Sequence, residues 1–447
     1  MSTESAVSTR RTVAWSLAVT VAGLVGVTLL DKLLTVRLGA VPFAQWTQLQ
    51  SLGEVVAGIV GAGLTQGLVV LAAPGGGHAL QMRWLWLSVL MGLVVTLPVA
   101  LLLGVFATGG LAAGAPPDHA GDGVAIFSLV GALDALSQPG LLVAATLAGA
   151  WLGIAQLQLN ALWVARGHLP TSFAVALGLA AASLLAGVLA PAGEVPLWLA
   201  ATRIAAALAL LVLVWLGARQ HIASDDWRRW SRAHRAELAR FLWMGVAIGV
   251  LTPVGQMLAR ASVAGAHGWE AVAAMQGLWR MGGWVGSVAA GLMALWLLPR
   301  WSRDGRPPGA ATLLRDGMRV VLPAWFCLLA VWWWQAPLAA IMFDAGFAVP
   351  PVVAAGFLIG EGIRAFSWIY LFGLMASRRT LAVVLTELAS LPLFATLVTW
   401  VPTAGLDEVG GLYVLTYTAY AGAMALCFTR PLGTLAERHG KARDAGV

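Results

Sequence analysis

Apolar runs of about 20 residues, the length a helix needs to cross a bilayer core, recur along the whole chain with short polar connections between them. Twelve such spans are read: 13–37, 43–73, 85–107, 141–165, 171–190, 197–216, 241–264, 271–298, 320–343, 352–375, 381–401 and 412–428. A further apolar stretch, 127–136, is too short to cross and reads as an external or interfacial segment leading into the fourth span. The pattern predicts an all-α integral membrane protein of about twelve transmembrane helices.

The longest internal connection, "ARQHIASDDWRRWSRAHRAELAR", follows the sixth span and divides the chain six plus six. Its charge density and its Trp227 and Trp230 pair read as an amphipathic helix along the inner headgroups. The organisation expected is a first six-helix lobe at 1–217, a cytoplasmic linker at 218–240, a second lobe at 241–430 and a cytoplasmic tail at 431–447. A faint repeat supports two pseudo-symmetric lobes around a central cavity. "GAVPFAQWTQLQSL" enters the second span and "GAHGWEAVAAMQGL" the eighth, so that Gly39 matches Gly265 and Gln50 matches Gln276. Each unit is preceded by a basic residue near the outer end of a span, Lys32 in the first and Arg260 in the seventh, and the two are expected to hold equivalent places in the two lobes.

Of the residues, 60% are hydrophobic and 11% charged, where a soluble domain carries roughly 25% charged residues. The net charge of +7 is mostly topological. Of the 27 Lys and Arg, 21 fall in one alternate set of connections, and the other set, including "GAPPDHAGDG" and "PTAGLDEVGG", has only Arg37 beside it. Basic residues resist translocation, so both termini are expected in the cytoplasm. The remaining positive balance suits anionic headgroups of the inner leaflet rather than nucleic acid. "STRRTVAW" resembles a twin-arginine signal, but a long apolar run without a small-residue cleavage site follows, so a retained first span is expected. Cys327 and Cys427 lie in spans with no ligand-spaced partner and read as packing residues, with no disulfide or metal site.

Six bases stay within spans or at their outer ends: Lys32, Arg37, Arg203, Arg260, Arg280 and Arg364. A charge at the bilayer centre costs about 2.5–3.5 kcal/mol on insertion scales, so such residues face a bundle interior or a wet cavity. Arg37 ends its span and can snorkel outwards. Lys32 has Asp31 beside it, which leaves ion pairing and ligand contact both open. Arg203 has no adjacent acid. Arg260 follows Gln256 and Pro253, a proline able to free backbone carbonyls towards a cavity. Arg364 has Glu361 three residues before it, the spacing of an intrahelical pair, whereas Arg280 has no such neighbour. Asp31, Glu54, Glu361 and Glu387 are the acids able to carry a coupling proton or to sit neutral in the interior. Gln45 and Gln48 lie on one side of the second span and Gln50 with Glu54 on another, and Gln256 and Gln276 add amides in the second half. Such helices line a polar interior. Tyr413, Tyr417 and Tyr420 share a face of the last span. The sequence holds no HExxH, GxSxG, Walker A or DxD-like pattern, so no catalytic residue and no cofactor are assigned.

"DKLLTVRLGAVPFAQWTQLQSLGEVVAGIVGAGLTQGLV" resembles the opening of the Wzx-type polysaccharide flippases. "TPVGQMLARASVAGAHGWEAVAAMQGLWRMGGWVGSVAAGLMALWLLPRWSR" is similar to their seventh and eighth spans, with Arg260, Trp269 and Gln276 at matching positions. Asp31 and Arg280 depart from that pattern. The resemblance implies the fold of the multidrug, oligosaccharidyl-lipid and polysaccharide exporters. It also implies transport of undecaprenyl-pyrophosphate-linked oligosaccharide, an O-antigen or enterobacterial common antigen intermediate, across the bacterial inner membrane. Membrane lipids, a polysaccharide polymerase and chain-length proteins are the partners it implies. Buried bases suit a pyrophosphate, since guanidinium and ammonium groups both bind phosphate oxygens. A cation-coupled drug exporter of the same fold would favour unpaired acids instead. A membrane polymerase would need a large charged external loop.

Overall fold

The computed structural model describes residues 3–58 except 49, 52 and 56; 149–156, 159 and 163; 169–222 except 192 and 193; 247–302; 309–343; 347; 349–377; and 379–429. Its helices are α1 (Thr3–Leu38), α2 (Leu169–Leu189), α3 (Val195–Ile222), α4 (Thr252–Leu292), α5 (Leu298–Ser302), α6 (Ala310–Trp333), α7 (Gln335–Met342), α8 (Pro351–Ala376), α9 (Thr380–Glu387), α10 (Leu391–Trp400) and α11 (Leu406–Thr429). A further helical stretch lies within 40–58, and no strand occurs among the described residues. Five of the described helical stretches are long and apolar enough to cross a membrane, or six if α6 and α7 form one bent span.

α1, α2, α3, α8 and α11 coincide with the spans expected at 13–37, 171–190, 197–216, 352–375 and 412–428. The span expected at 85–107, most of those at 43–73 and 141–165, the segment 127–136, the linker beyond residue 222 and the tail lie outside the described residues.

The eleventh span, expected at 381–401, lies at Leu381–Trp400, whereas the ninth differs from expectation. α6 begins ten residues before position 320, because Arg315, Asp316 and Arg319 join its first turns. Asp316 is buried and receives Arg319 at 3.3 Å, Arg315 at 3.6 Å and, from α5, Arg300 at 3.8 Å. The helix then breaks at Trp334 and α7 leaves at 85°. Pro337 explains the break, since it lacks the N–H that would continue the ladder to the Trp333 carbonyl. The eleventh span divides into α9 and α10 around 388–390, with Pro392 in the first turn of α10.

Two glycines set the geometry of the seam between the halves. Gly39 (φ +86°), after α1, and Gly268 (φ +83°), inside α4, both adopt the left-handed region that side-chain-bearing residues avoid. At Gly268 the chain doubles back: Arg260 and Gln276, equally far on either side of it, hydrogen-bond at 2.9 Å. These turns pair Gly39 with Gly268 rather than with Gly265, a three-residue correction to the repeat register. On the corrected register Asp31, not Lys32, matches Arg260. α4 packs against α1 from the first half and against α6, α8 and α10 from the second. It is the helix on which the two halves meet. A π-helical turn, Ala247–Leu251, precedes it just before Pro253, and another, Met293–Leu297, follows. Large apolar side chains such as Phe326 and Trp333 stay exposed on outer faces, as lipid contact allows.

Candidate functional site

Two polar clusters are buried among these helices. The first occupies the seam. Asp31 of α1, 3% exposed, faces the second arm of α4, and its carboxylate lies 3.2 Å from Arg280 Nε, off the N–H axis. The Gln50 amide, oriented by its partners, accepts from Trp46 Nε1 and from Arg203 Nη2, each at 2.9 Å. Arg280 Nη2 is 3.4 Å from the amide's other end. Arg203, carried by α3, also stacks over the Trp46 ring at 5.7 Å. Glu54, one turn beyond Gln50, acts electrostatically on both Arg203 and Arg260.

Arg260 is the deepest of the bases, 3% exposed. Its guanidinium donates to Gln276 Oε1 at 2.9 Å, to Ser51 Oγ at 2.7 Å and to the Thr47 carbonyl at 3.3 Å, and lies 3.5 Å from Gln48 Oε1. The Gln48 amide in turn donates to the Met257 carbonyl at 3.0 Å. The two repeat hairpins are therefore stitched together side chain by side chain. Gln256 is half-buried and makes no hydrogen bond among the described residues.

Lys32 turns away from Asp31 because neighbouring helical positions point about 100° apart. Its ammonium donates to the Ala340 and Phe343 carbonyls, at 2.8 and 2.6 Å, where α7 ends. A cation there satisfies orphan carbonyls and the negative end of the helix dipole. Beside it Phe43, Phe343 and Phe347, all fully buried, pack with ring centroids 5.1–6.1 Å apart. Arg37 does the same service for α2, donating to the Ala190 and Val188 carbonyls at 2.7 and 2.9 Å. Its charge is held by protein rather than left to snorkel.

The second cluster belongs to the second half alone. Glu361 of α8 pairs with Arg364 at 3.2 Å and accepts a hydrogen bond from the Tyr413 hydroxyl. The Arg364 guanidinium lies over Trp368 at 5.2 Å and Tyr417 at 5.6 Å. Glu387 accepts from Tyr420 at 2.7 Å and from Ser390 at 3.2 Å. The tyrosine face of the last span thus points inward onto two carboxylates. Gly282 and Gly286, on the side of α4 away from Arg280, abut Glu361 and Trp368. Arg280 and Arg364 therefore occupy different clusters and do not converge. Trp279 stands between the clusters, beneath Arg260 at 5.6 Å and against Tyr413 at 6.0 Å.

Of the sequence candidates, Asp31, Gln48, Gln50, Glu54, Arg203, Arg260, Gln276 and Arg280 gather at the seam, with Lys32 at its edge. Ser51, the Thr47 carbonyl, Trp46 and Trp279 were not anticipated. Trp46 lies one turn before Gln50 and Ser51 one turn after Thr47, a spacing that places them beside the amides. Among the described residues, three guanidiniums face Asp31 and Glu54, an excess of positive charge.

The fold recurs in solved structures. A mutant form of the Vibrio cholerae MATE transporter VcmN superposes with a TM-score of 0.63 at 16% identity, over 95% of this chain and 97% of that one. The chain has the MATE transporter fold. That fold holds twelve transmembrane helices in two lobes. An outward-facing multidrug resistance MATE family transporter of the MOP superfamily matches with a TM-score of 0.53 and 12% identity, covering 95% and 97% of the two chains. A MOP superfamily transporter from Pyrococcus furiosus, described as having a binding pocket of reversed polarity that suggests a different function, matches at 0.58 and 12%, over 94% and 95%. No protein-family model and no curated protein matches the chain.

Proposed function

We propose that this MATE-fold chain is a flippase for an anionic, lipid-linked glycan, an oligosaccharide joined through pyrophosphate to undecaprenol. It carries the glycan from the inner to the outer leaflet of the bacterial cytoplasmic membrane by alternating access, with both termini in the cytoplasm. The observation that carries the reading is the seam: Arg203, Arg260 and Arg280 converge there from α3 and both arms of α4, opposite fewer acids. A pyrophosphate entering the membrane leaves water, and guanidinium forks offset that desolvation through bidentate contacts. Asp31 holds Arg280 in the resting state and yields it to the incoming phosphate. Lys32 on α7 and the phenylalanine stack close one end, so the two halves rock about α4 to open the other. A polysaccharide polymerase then receives the cargo on the far side.

The test is reconstitution of the full chain in liposomes with a fluorescent undecaprenyl-pyrophosphate glycan in one arm and ethidium in the other. Flipping of the glycan lipid, lost in Arg280→Ala and partly kept in Arg280→Lys, is the expected result. Efflux of ethidium with no glycan movement overturns the proposal and makes the chain a cation exporter.

A further inference from the structure

An apolar groove of about 420 Å³ lies on the seam beside the arginine cluster. Its floor is the second arm of α4, from Trp284 to Leu292, and its walls are α1 and α6. One wall thus comes from each half of the chain. On α1 it runs from Val21 to Leu29, which at 1.5 Å per residue is about 12 Å of length. Thr28 spends its hydroxyl proton on the Leu24 carbonyl at 2.7 Å, so that wall offers no free donor. Val21, Val25 and Leu29 are each about half exposed, which leaves the groove open sideways to lipid.

The groove ends where the charges begin. Asp31 follows Thr28 by one helical turn and Arg280 precedes Trp284 by one turn, and those two residues are the pair that meets at 3.2 Å. At this junction the Trp284 indole N–H is buried and has no acceptor among the described residues. Apolar groove, unpartnered donor and guanidinium therefore stand in line along one seam. That order is the order of parts in an amphiphile with an apolar chain, a polar junction and an anionic head.

We propose that this groove is a tail-binding site, and that it takes the polyprenyl chain of the cargo while the pyrophosphate lies at Arg280 and Arg203. The proposal rests on the flippase reading above and adds where the tail goes. Lipid chains are as apolar as the groove, so burial alone gives it no preference over bulk phospholipid. Selection comes from the linkage. A head held at Arg280 raises the effective concentration of its own tail at the groove a few ångströms away. Trp284 supplies the hydrogen bond at the junction, to a phosphate oxygen nearest the chain.

The probe is a polyprenyl pyrophosphate carrying a benzophenone in its tail, added to the full-length protein in phosphatidylglycerol-containing nanodiscs. Cross-links are expected at α1 and α6 residues of the groove, competed by unlabelled undecaprenyl pyrophosphate. Val288→Trp and Val25→Trp, which fill the groove from the floor and from an exposed wall position, are expected to weaken binding about tenfold. Binding of methyl pyrophosphate, which has the head and no tail, is expected to stay within twofold. If both filled variants bind the polyprenyl probe like the parent while Arg280→Ala does not, the tail site is wrong and the flippase reading stands. If cross-linking at the groove is competed equally by phosphatidylglycerol, the groove holds bulk lipid and the proposal is overturned. If neither pyrophosphate binds and a hydrophobic cation does, both readings fall together.

Discussion

Asp31 and Arg280 meet at 3.2 Å across the seam between the two halves of the chain, although neither has an opposite charge at helical spacing in its own helix. Asp31 is buried and the Arg280 side chain is 26% exposed, so the pair lies between the surface and buried limits. A double-mutant cycle of Asp31→Asn and Arg280→Gln is expected to give a coupling of about 1–3 kcal/mol in thermal unfolding, above the exposed-pair range and below that of fully buried pairs. A coupling near zero would mean that the contact is not an ion pair in the membrane.

Arg260 should be the base the fold depends on most. Its removal takes the donor from Gln276 Oε1 and Ser51 Oγ in a buried place, while the Thr47 carbonyl keeps the Ser51 hydroxyl, and unsatisfied groups cost about 1–3 kcal/mol each. Arg260→Ala is expected to lower the melting temperature more than Arg203→Ala or Arg280→Ala. Arg260→Lys should recover only part, because an ammonium cannot reproduce the fork. Detergent-solubilised protein followed by intrinsic tryptophan fluorescence reads both.

At the second cluster, Glu361→Gln removes the countercharge from Arg364 while Tyr413→Phe removes one hydrogen bond. The Arg364 side chain is 22% exposed, so the first is expected to cost about 1–3 kcal/mol, short of the loss for a fully buried pair, and the second about 1 kcal/mol. Arg364→Gln added to Glu361→Gln should restore much of the loss. A double variant that folds well yet transports nothing, where Arg364→Gln alone still transports, would assign Glu361 a coupling proton rather than a structural charge.

Lys32→Met deletes the cation at the end of α7 and should favour the state open at the Gly39 and Gly268 end. Maleimide labelling of Ala339→Cys, fully buried in α7, is expected to rise several-fold in that background. Unchanged labelling would mean that the aromatic stack alone closes the seam.

Topology is tested independently of any site. Reporter fusions after Ala113, Pro196 and Gly405 are each expected to report outside, since the connections around them lack Lys and Arg. A cytoplasmic signal from two of the three would reverse the assignment of both termini.

Much of this was legible in the chain because the membrane makes local demands. A backbone in lipid must satisfy itself within each helix, so α1, α2, α3, α8 and α11 follow from apolar length alone. The cost of charge in lipid singled out Arg203, Arg260 and Arg280 as interior groups for the same reason, and the pairing of Arg364 with Glu361 followed from helical spacing. Hydropathy did not reach the first turns of α6, where Arg315 and Arg319 both pair with Asp316.

Only the tertiary structure decided partners. The sequence offered Lys32 as the natural mate of Asp31, yet adjacent helical residues diverge, and Arg280 arrives from the far half while Lys32 goes to the end of α7. Likewise Gly265 and Gly268 are equivalent as letters, and only the backbone shows which one takes φ +83° and so sets the repeat register. Helix formation in a bilayer is a property of twenty consecutive residues, whereas an ion pair or an aromatic cluster depends on where two distant helices cross.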